Sequence, residues 1–228
     1  MMQKPSYFLT QPPADWGAET LSSFESLFAQ AMEQGAESSI AYSLLAPKWQ
    51  FLCYLCECKN IVLHGSGSPD IAEFEPRQSN DVAEFGDRRA IYAASDGIWA
   101  MYFAIVDREG YITSLVNSCI RILDPTGKSE PYYYFSVNGD ALPRYPWRTG
   151  TIYLLPRDSF EQQPPIQNKG LTIEAAQWAS LSPVKPLAKL LVTPEDFPFL
   201  SQIAPHDPAT LRKRAIADPE GFPWLDEA

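Results

Sequence analysis

Histidine is almost absent from this chain, since His64 and His206 are the only two among 228 residues. Basic residues are also scarce: 18 lysines and arginines stand against 28 aspartates and glutamates, which leaves a formal net charge of −10. Such a balance disfavours non-specific binding to the phosphates of nucleic acids and to anionic membranes. It remains compatible with a nucleotide-sized ligand that a few local groups hold.

Long hydrophobic runs are missing as well. The longest wholly apolar stretch, IWAMYFAIV at 98–106, is far shorter than the roughly 20 residues that cross a bilayer as a helix. The N-terminal segment MMQKPSYFLTQPPADW has no apolar core of signal-peptide length. We therefore expect a cytoplasmic protein without a membrane partner.

Cysteine occurs four times, and Cys53, Cys56 and Cys58 lie close together. That number does not indicate a disulfide framework in a chain of this size. A closed zinc site needs four ligands, and the other candidates, which include Cys119, are scattered along the chain. We interpret the cluster as small apolar side chains of a helix and assign no metal ligand. A metal-stabilised structural or interaction protein is the alternative that this cluster leaves open.

The N-terminal half contains helical patterns around one short strand. Apolar residues recur at helical spacing over 18–34, Gly35 follows as a stop signal, and a second helix is predicted after Pro47. A buried strand is predicted at 61–65. The polar stretch 66–89 predicts a loop with at most one helical turn, and such long loops are usually functional.

The rest of the chain predicts strands separated by proline-rich turns. A strand at 90–94 leads into a buried helix with Ser95 as its N-cap. Further strands are predicted at 111–123, 132–137, 150–156, 176–181 and 186–193, and short helices after Pro194 and at 208–218. This order predicts an α+β protein with one domain, 1–228. It comprises an N-terminal helical layer at 1–59, a core at 60–195 and a C-terminal helical tail at 196–228.

The turn after His64, in IVLHGSGSP, does not match the common enzyme signatures. Gly65-Ser66-Gly67 lacks the third glycine of a dinucleotide fingerprint and the lysine of a phosphate-binding loop. Neither Ser66 nor Ser68 has glycines two residues away on both sides, as a nucleophile elbow requires. Considered alone, the motif indicates a tight turn with a structural histidine.

The combination of segments is more informative, because it resembles the NAD-binding half of ADP-ribosyltransferases. The similarity is to the branch of the poly(ADP-ribose) polymerases and diphtheria toxin, whose signature is histidine, tyrosine and glutamate. It covers residues 60 to 195: Leu63-His64-Gly65-Ser66 at a strand end, a variable loop, Phe85-Gly86, Ile91-Tyr92-Ala93-Ala94 before a helix, and a late strand at 177–192. The resemblance implies a split β-sandwich, here with an N-terminal helical layer, and NAD as substrate.

The resemblance also implies roles for the first motif. His64 would hydrogen-bond a ribose hydroxyl of NAD, because a neutral imidazole offers one donor and one acceptor. The backbone N–H and C=O of Gly65 would pair with the nicotinamide carboxamide, and Ser66 would shape the strand end. Arg77 lies in the loop that the family places over the adenosine and phosphates, so it is a candidate phosphate partner.

The second and third motifs supply the other implied contacts. Tyr92 would stack on the nicotinamide ring, and Phe103 would form the opposite wall. Ala100 stands where the family has a serine that binds the carboxamide. Gln177 stands where the family has its glutamate, so the carboxylate that stabilises an oxocarbenium-like transition state is missing. Glu174 would replace it only if the strand were bulged, because residues at odd offsets point to opposite faces.

We therefore expect an NAD-binding protein with His64, Tyr92 and Gln177 as catalytic candidates. It would transfer one ADP-ribose unit to an unidentified protein, nucleic-acid or small-molecule acceptor, or hydrolyse NAD. A non-catalytic binding module of the same fold is one alternative. A phosphotransferase acting on a 2′-phosphate is another, although its basic candidates, Arg77, Arg88 and Arg89, lie in one loop.

Overall fold

The protein is a mixture of helices and sheets of the α+β class, as predicted. The computed structural model describes residues 5–35, 38–79 and 84–224. Its helices are α1 (Ala18–Gln34), α2 (Lys48–Cys58), α3 (Gly97–Ile105) and α4 (Pro208–Ala217). Its strands are β1 (Leu9–Thr10), β2 (Ile61–Ser66), β3 (Arg77–Gln78), β4 (Arg89–Ala94), β5 (Leu115–Asp124), β6 (Gly127–Lys128), β7 (Tyr132–Asn138), β8 (Gly150–Pro156), β9 (Glu161–Gln162), β10 (Ile166–Asn168), β11 (Leu171–Ala175), β12 (Gln177–Ser180), β13 (Ala188–Val192) and β14 (Ala204–His206).

The strands form two sheets in which nearly all neighbours are antiparallel. The first sheet has the order β1-β7-β5-β11-β10, with β6 added to β5 and β14 lying parallel to β7. The second has the order β13-β8-β2-β4-β12-β9, with β3 beside β4. The main core joins inward residues of both sheets to α1, α2 and α3, and a second apolar cluster covers the other face of the second sheet. Among the described helices, none combines the length and apolarity that a bilayer-spanning segment requires.

The two N-terminal helices form where the sequence predicts them. Helix α1 buries one stripe, which contains Phe24, Leu27 and Ala31, and Gly35 ends it with a φ of 75°, a conformation that favours glycine. Helix α2 begins directly after Pro47 and is buried along the whole of 49–56. Because α2 packs on all sides, its cysteines Cys53 and Cys56 are core residues, as the sequence indicates.

Helix α3 begins one residue later than predicted. The Asp96 carboxylate, not the Ser95 hydroxyl, caps the helix by accepting from the Trp99 N–H at 2.8 Å. Ser95 remains part of the sheet edge because its N–H donates to the Ala176 carbonyl at 2.9 Å. Asp96 is buried, and its second oxygen accepts from the Tyr133 hydroxyl at 2.8 Å. Burial raises the pKa of this carboxyl group, against the lowering effect of both hydrogen bonds.

We expect Asp96→Ala to reduce the free energy of unfolding by about 2 kcal/mol, because it removes a helix cap and leaves the buried Tyr133 hydroxyl without its acceptor. Urea denaturation measures the change. Asp96→Asn is the matched control: its amide oxygen still caps α3 and its NH₂ still pairs with Tyr133, so its effect should stay below about 1 kcal/mol. Equal losses in both variants would show that the carboxylate charge, not the cap, matters.

Other segments differ from the prediction in detail. The loop predicted at 66–89 also contains the short strand β3, and its residues 80–83 lie outside the described part of the chain. The sequence does not reveal β11 as a separate strand. After Pro194 the predicted helix is replaced by two 3₁₀ turns, Pro194–Asp196 and Leu200–Gln202. Pro198 lies between them and cannot continue a helix, because it lacks an N–H.

The chain passes from the first sheet to the second through a single residue, Ala176. Its N–H donates to the Cys119 carbonyl of β5 at 3.0 Å, and its carbonyl accepts from the Ser95 N–H. Strand β11 therefore ends in one sheet and β12 begins in the other at Gln177. The position of Gln177 is set by both sheets.

Candidate functional site

Strands β2 and β4 separate from each other directly after Leu63. Strand β2 pairs with β8 along its whole length, from Ile61 to Ser66. Its register with β4 contains one pair, Leu63 with Ala94. Beyond that pair the described residues form no further β2–β4 rungs, and we term this unpaired stretch the β2–β4 gap.

The backbone of Gly65 faces the β2–β4 gap. In an antiparallel sheet, successive residues direct their N–H and C=O groups to opposite neighbours. The Ser95 N–H points to β12, where it meets Ala176, so the groups of Ala94 point to β2. Ala94 thus forms a hydrogen-bonded pair with Leu63. Gly65, two residues after Leu63 on β2, directs its N–H and C=O to the same side as Leu63, towards β4. The position predicted to bind a carboxamide therefore presents a donor and an acceptor along an interrupted ladder.

Helix α3 closes one side of this position. A Cβ on Gly65 would lie 2.1 Å from the Ala100 carbonyl oxygen and 2.7 Å from the Ala104 nitrogen. Glycine is required here because the helix backbone occupies the space of a side chain. Phe103, the predicted second wall, lies on α3 and packs partly buried against Trp99, with ring centroids 5.7 Å apart.

His64 reaches the β2–β4 gap from the opposite face of the sheet. Its Nδ1 lies 2.6 Å from the Tyr92 carbonyl oxygen, and its ring centroid lies 4.7 Å from that of Phe74. A carbonyl oxygen only accepts, so Nδ1 carries the proton and Nε2 of the neutral ring keeps its lone pair. Burial lowers the pKa of His64, the bond to Tyr92 opposes this, and repulsion from Arg108 and Arg77 lowers it further. The neutral imidazole therefore offers an acceptor at Nε2.

The ring of Tyr92 lies on the α3 side of the sheet. The registers align Tyr92 with Ala179 and Glu161 on one face, whereas its neighbours Ile91 and Ala93 pack on the other face in the second apolar cluster. The Tyr92 hydroxyl accepts from the Arg88 N–H and donates to the Phe85 carbonyl, both at 2.9 Å. The structure thus joins His64 to the Tyr92 backbone and separates the two rings by the sheet. The stacking of Tyr92 on a ligand ring stays a prediction.

Gln177 begins β12 at the edge of the same region. It pairs with Ala94, which pairs with Leu63, so these side chains share the face on which Tyr92 lies. Glu174 belongs to β11 in the other sheet, where its carboxylate lies 2.6 Å from Lys128 Nζ. Glu174 is therefore occupied elsewhere and does not replace the carboxylate that Gln177 lacks.

A covering segment, residues 68–76, lies over His64. Tyr153, opposite His64 in β8, accepts from the Ile71 N–H at 3.0 Å and donates to the Ser68 carbonyl at 2.8 Å. Phe74 exchanges two backbone hydrogen bonds with Val184, at 2.8 and 3.0 Å. The sequence analysis did not single out Phe74 or Tyr153. The signal that the sequence contains is the alternation of side chains along β8, which places Tyr153 on the same face of the sheet as His64.

The remaining predicted site residues lie around the end of β2. Ser66 accepts from the Ser68 N–H at 3.1 Å, so its hydroxyl stabilises the turn. Arg77 is exposed in β3, where it pairs with Ala90, and it is near enough to His64 to affect the pKa of the imidazole. Its contact with a phosphate stays a prediction.

The cysteine cluster behaves as part of the core. Cys53, Cys56 and Cys119 are buried, Cys58 is exposed, and all four are free thiols. Burial raises the pKa of the three buried thiols well above the ordinary value. The described residues contain no group of three or more histidine, cysteine, aspartate or glutamate side chains arranged to hold a metal ion.

His206, the second histidine, lies outside this region and cross-links segments of the first sheet. Its Nδ1 lies 2.5 Å from Ser136 Oγ and its Nε2 lies 2.9 Å from Ser114 Oγ, so it ties β14 to β7 and to the start of β5. Burial lowers the pKa of His206, although nearby Asp207 raises it. A shallow surface depression of about 660 Å³ borders His206 and Asp207 and lies apart from the β2–β4 gap.

No protein-family model matches the chain, and neither a curated protein nor a solved structure was found to be similar to it. The assignment of the site therefore depends on its own geometry.

Proposed function

We propose that this protein binds NAD at the β2–β4 gap and has a fold of the ADP-ribosyltransferase type. One observation carries the proposal: the ladder between β2 and β4 stops at Leu63, so that the N–H and C=O of Gly65 face a strand with which they form no β-ladder pair. A carboxamide offers the complementary acceptor and donor, as an adjacent strand would. Nicotinamide, with a carboxamide on a flat ring, matches this arrangement.

The surrounding side chains support the same ligand. His64 Nε2 would accept from a ribose hydroxyl on one face of the sheet, and the Gln177 amide offers a neutral hydrogen-bond partner on the other face, beyond β4. Tyr92 and Phe103, on the same face as Gln177, are the aromatic groups that we assign to the nicotinamide. The order of the elements, in which β2 carries His64, β4 runs into α3, and β12 begins at Gln177, is the order that the resemblance requires.

The activity that follows is transfer of a single ADP-ribose unit to an unidentified acceptor, or hydrolysis of NAD, in the cytoplasm. Without a carboxylate at Gln177, the site lacks the group that the resemblance assigns to activation of an acceptor hydroxyl for chain growth. A non-catalytic binding module is the second candidate. Gln177 and the covering segment over His64 favour it, because the first removes charge from the site and the second restricts access to the imidazole.

Isothermal titration with NAD and nicotinamide tests the binding proposal. We expect both to bind, and we expect nicotinic acid to bind at least tenfold more weakly, because its carboxylate has no N–H for the Gly65 carbonyl. His64→Ala should weaken NAD about tenfold and leave nicotinamide unchanged. Absence of heat with NAD at millimolar concentration would refute the proposal, and binding without nicotinamide release would establish the second candidate.

A further inference from the structure

Arg148 occupies the space next to Gly67, in the turn that follows β2. A Cβ on Gly67 would lie 1.9 Å from Arg148 Cζ, so the guanidinium packs directly on the turn backbone. Gly67 thus leaves room for a charged group in the turn Ser66-Gly67-Ser68.

A short antiparallel contact holds Arg148 beside the end of α3. Val106 and Trp147 form an isolated bridge, and the Arg148 N–H donates to the Ile105 carbonyl at 2.8 Å. Arg108 follows the same contact two residues after Val106, and its guanidinium carbon lies 5.5 Å from the Phe103 ring centroid. Arg148 therefore packs on the turn after β2, and Arg108 lies near enough for the two charges to repel each other.

The positive charge at this place is incompletely compensated. The carboxylate that forms an ion pair with Arg148 belongs to Asp107, and its oxygen lies 3.7 Å from Arg148 Nη1, which is long for a hydrogen bond. Arg148 Nε is buried and has no hydrogen-bond partner among the described residues. The pKa of Arg108 is lowered, first because surrounding groups displace water from it and then because Arg148 repels its charge. In a chain of net charge −10, such a local excess of arginine indicates an anionic ligand.

We propose that Arg108 and Arg148, together with the Ser66-Gly67-Ser68 turn, form a binding site for the phosphate or diphosphate group of a nucleotide. Arginine pairs with phosphate oxygens through parallel N–H donors, and the serine hydroxyls add short-range partners. Gly65 and Gly67 lie about 7 Å apart along the chain. One nucleotide can therefore reach the β2–β4 gap with its ring and this site with its phosphates. The site itself does not depend on the nicotinamide proposal.

Titration of the full chain with pyrophosphate and with ADP tests the site. Both should bind, and ADP should bind more tightly if the natural ligand is a nucleotide and not a free phosphate. Arg148→Gln and Arg108→Gln should each weaken pyrophosphate about tenfold, and Gly67→Ala should weaken it too by displacing the guanidinium. Arg212→Gln, on exposed α4, makes the same change of charge and should have no effect.

The outcomes separate this site from the proposed function. Nicotinamide is uncharged, so Arg148→Gln should leave its affinity unchanged. Pyrophosphate binding without nicotinamide binding would support the phosphate site and contradict the proposed function. Nicotinamide binding without pyrophosphate binding would overturn the phosphate site alone. If wild type does not bind pyrophosphate at millimolar concentration, or if folded Arg148→Gln and Arg108→Gln bind it as wild type does, the two arginines serve only the C-terminal dipole of α3.

Discussion

Replacing Gln177 with glutamate is expected to raise the rate of nicotinamide release from NAD about a hundredfold. Cleavage of the glycosidic bond places positive charge on the ribose, and a carboxylate at about 5 Å stabilises that charge by roughly 3 kcal/mol at an effective dielectric constant near 20. Gln177 begins β12, which pairs with β4 on the side away from the β2–β4 gap, and it shares the face of Tyr92, so the new carboxylate would stand where the resemblance has its glutamate. Single-turnover measurement of released nicotinamide gives the rate.

Gln162→Glu provides the matched control for this change. Gln162 lies on the neighbouring strand and pairs with Trp178, whose side chain belongs to the other face of the sheet. The Gln162→Glu substitution adds the same charge nearby, but on the opposite face of the sheet from the Gln177 side chain. The rate of nicotinamide release should therefore change less than about threefold. If folded Gln177→Glu binds NAD and releases nicotinamide no faster than wild type, Gln177 does not face the reacting ribose.

Replacing Gly65 with alanine is expected to lower the free energy of unfolding by about 3 kcal/mol. The added methyl group would meet the backbone of α3 at Ala100 and Ala104, and backbone in a buried helix cannot move aside as a side chain can. Gly150→Ala should have a similar effect, because its Cβ would lie 2.1 Å from the Ala104 carbonyl oxygen. Urea denaturation measures both losses.

Gly67→Ala separates this clash from a general effect of replacing glycine. Its new methyl group meets the Arg148 guanidinium, the far end of a flexible side chain, so the loss should stay below about 1 kcal/mol. Equal losses at Gly65 and Gly67 would mean that α3 does not pack on β2 as closely as described.

The elements predicted best are those with strong local patterns. The apolar stripe and Gly35 define α1, Pro47 marks the start of α2, and a run of apolar residues identifies α3 as a buried helix. These features depend on neighbours in sequence, and the structure confirms them. The cap of α3 was assigned one residue too early, because Ser95 is retained in the sheet by donating its N–H to the carbonyl of Ala176, which is distant in sequence.

The strand end that carries His64 was predictable in position, but the orientation of its side chains was not. The placement of His64 at a strand end follows from the apolar run before it and the glycines after it. Its tautomer and the face of its ring depend on the single β2–β4 rung, which no local pattern reveals. The same holds for Phe74, which meets His64 only because the covering segment folds back and pairs with Val184.

The crossing at Ala176 has a mechanical consequence for ligand entry. The N–H and the C=O of Ala176 are both engaged, one with each sheet, so a hinge movement between the sheets at this residue would break at least one of these hydrogen bonds. Gln177 is accordingly held beside Ala94 of β4. If the proposed dinucleotide binds at the β2–β4 gap, we expect the chain to make room for it through residues 68–76, which hydrogen bonds to Tyr153 and Val184 hold in place. The rate of ligand entry would then depend on how readily these few hydrogen bonds break.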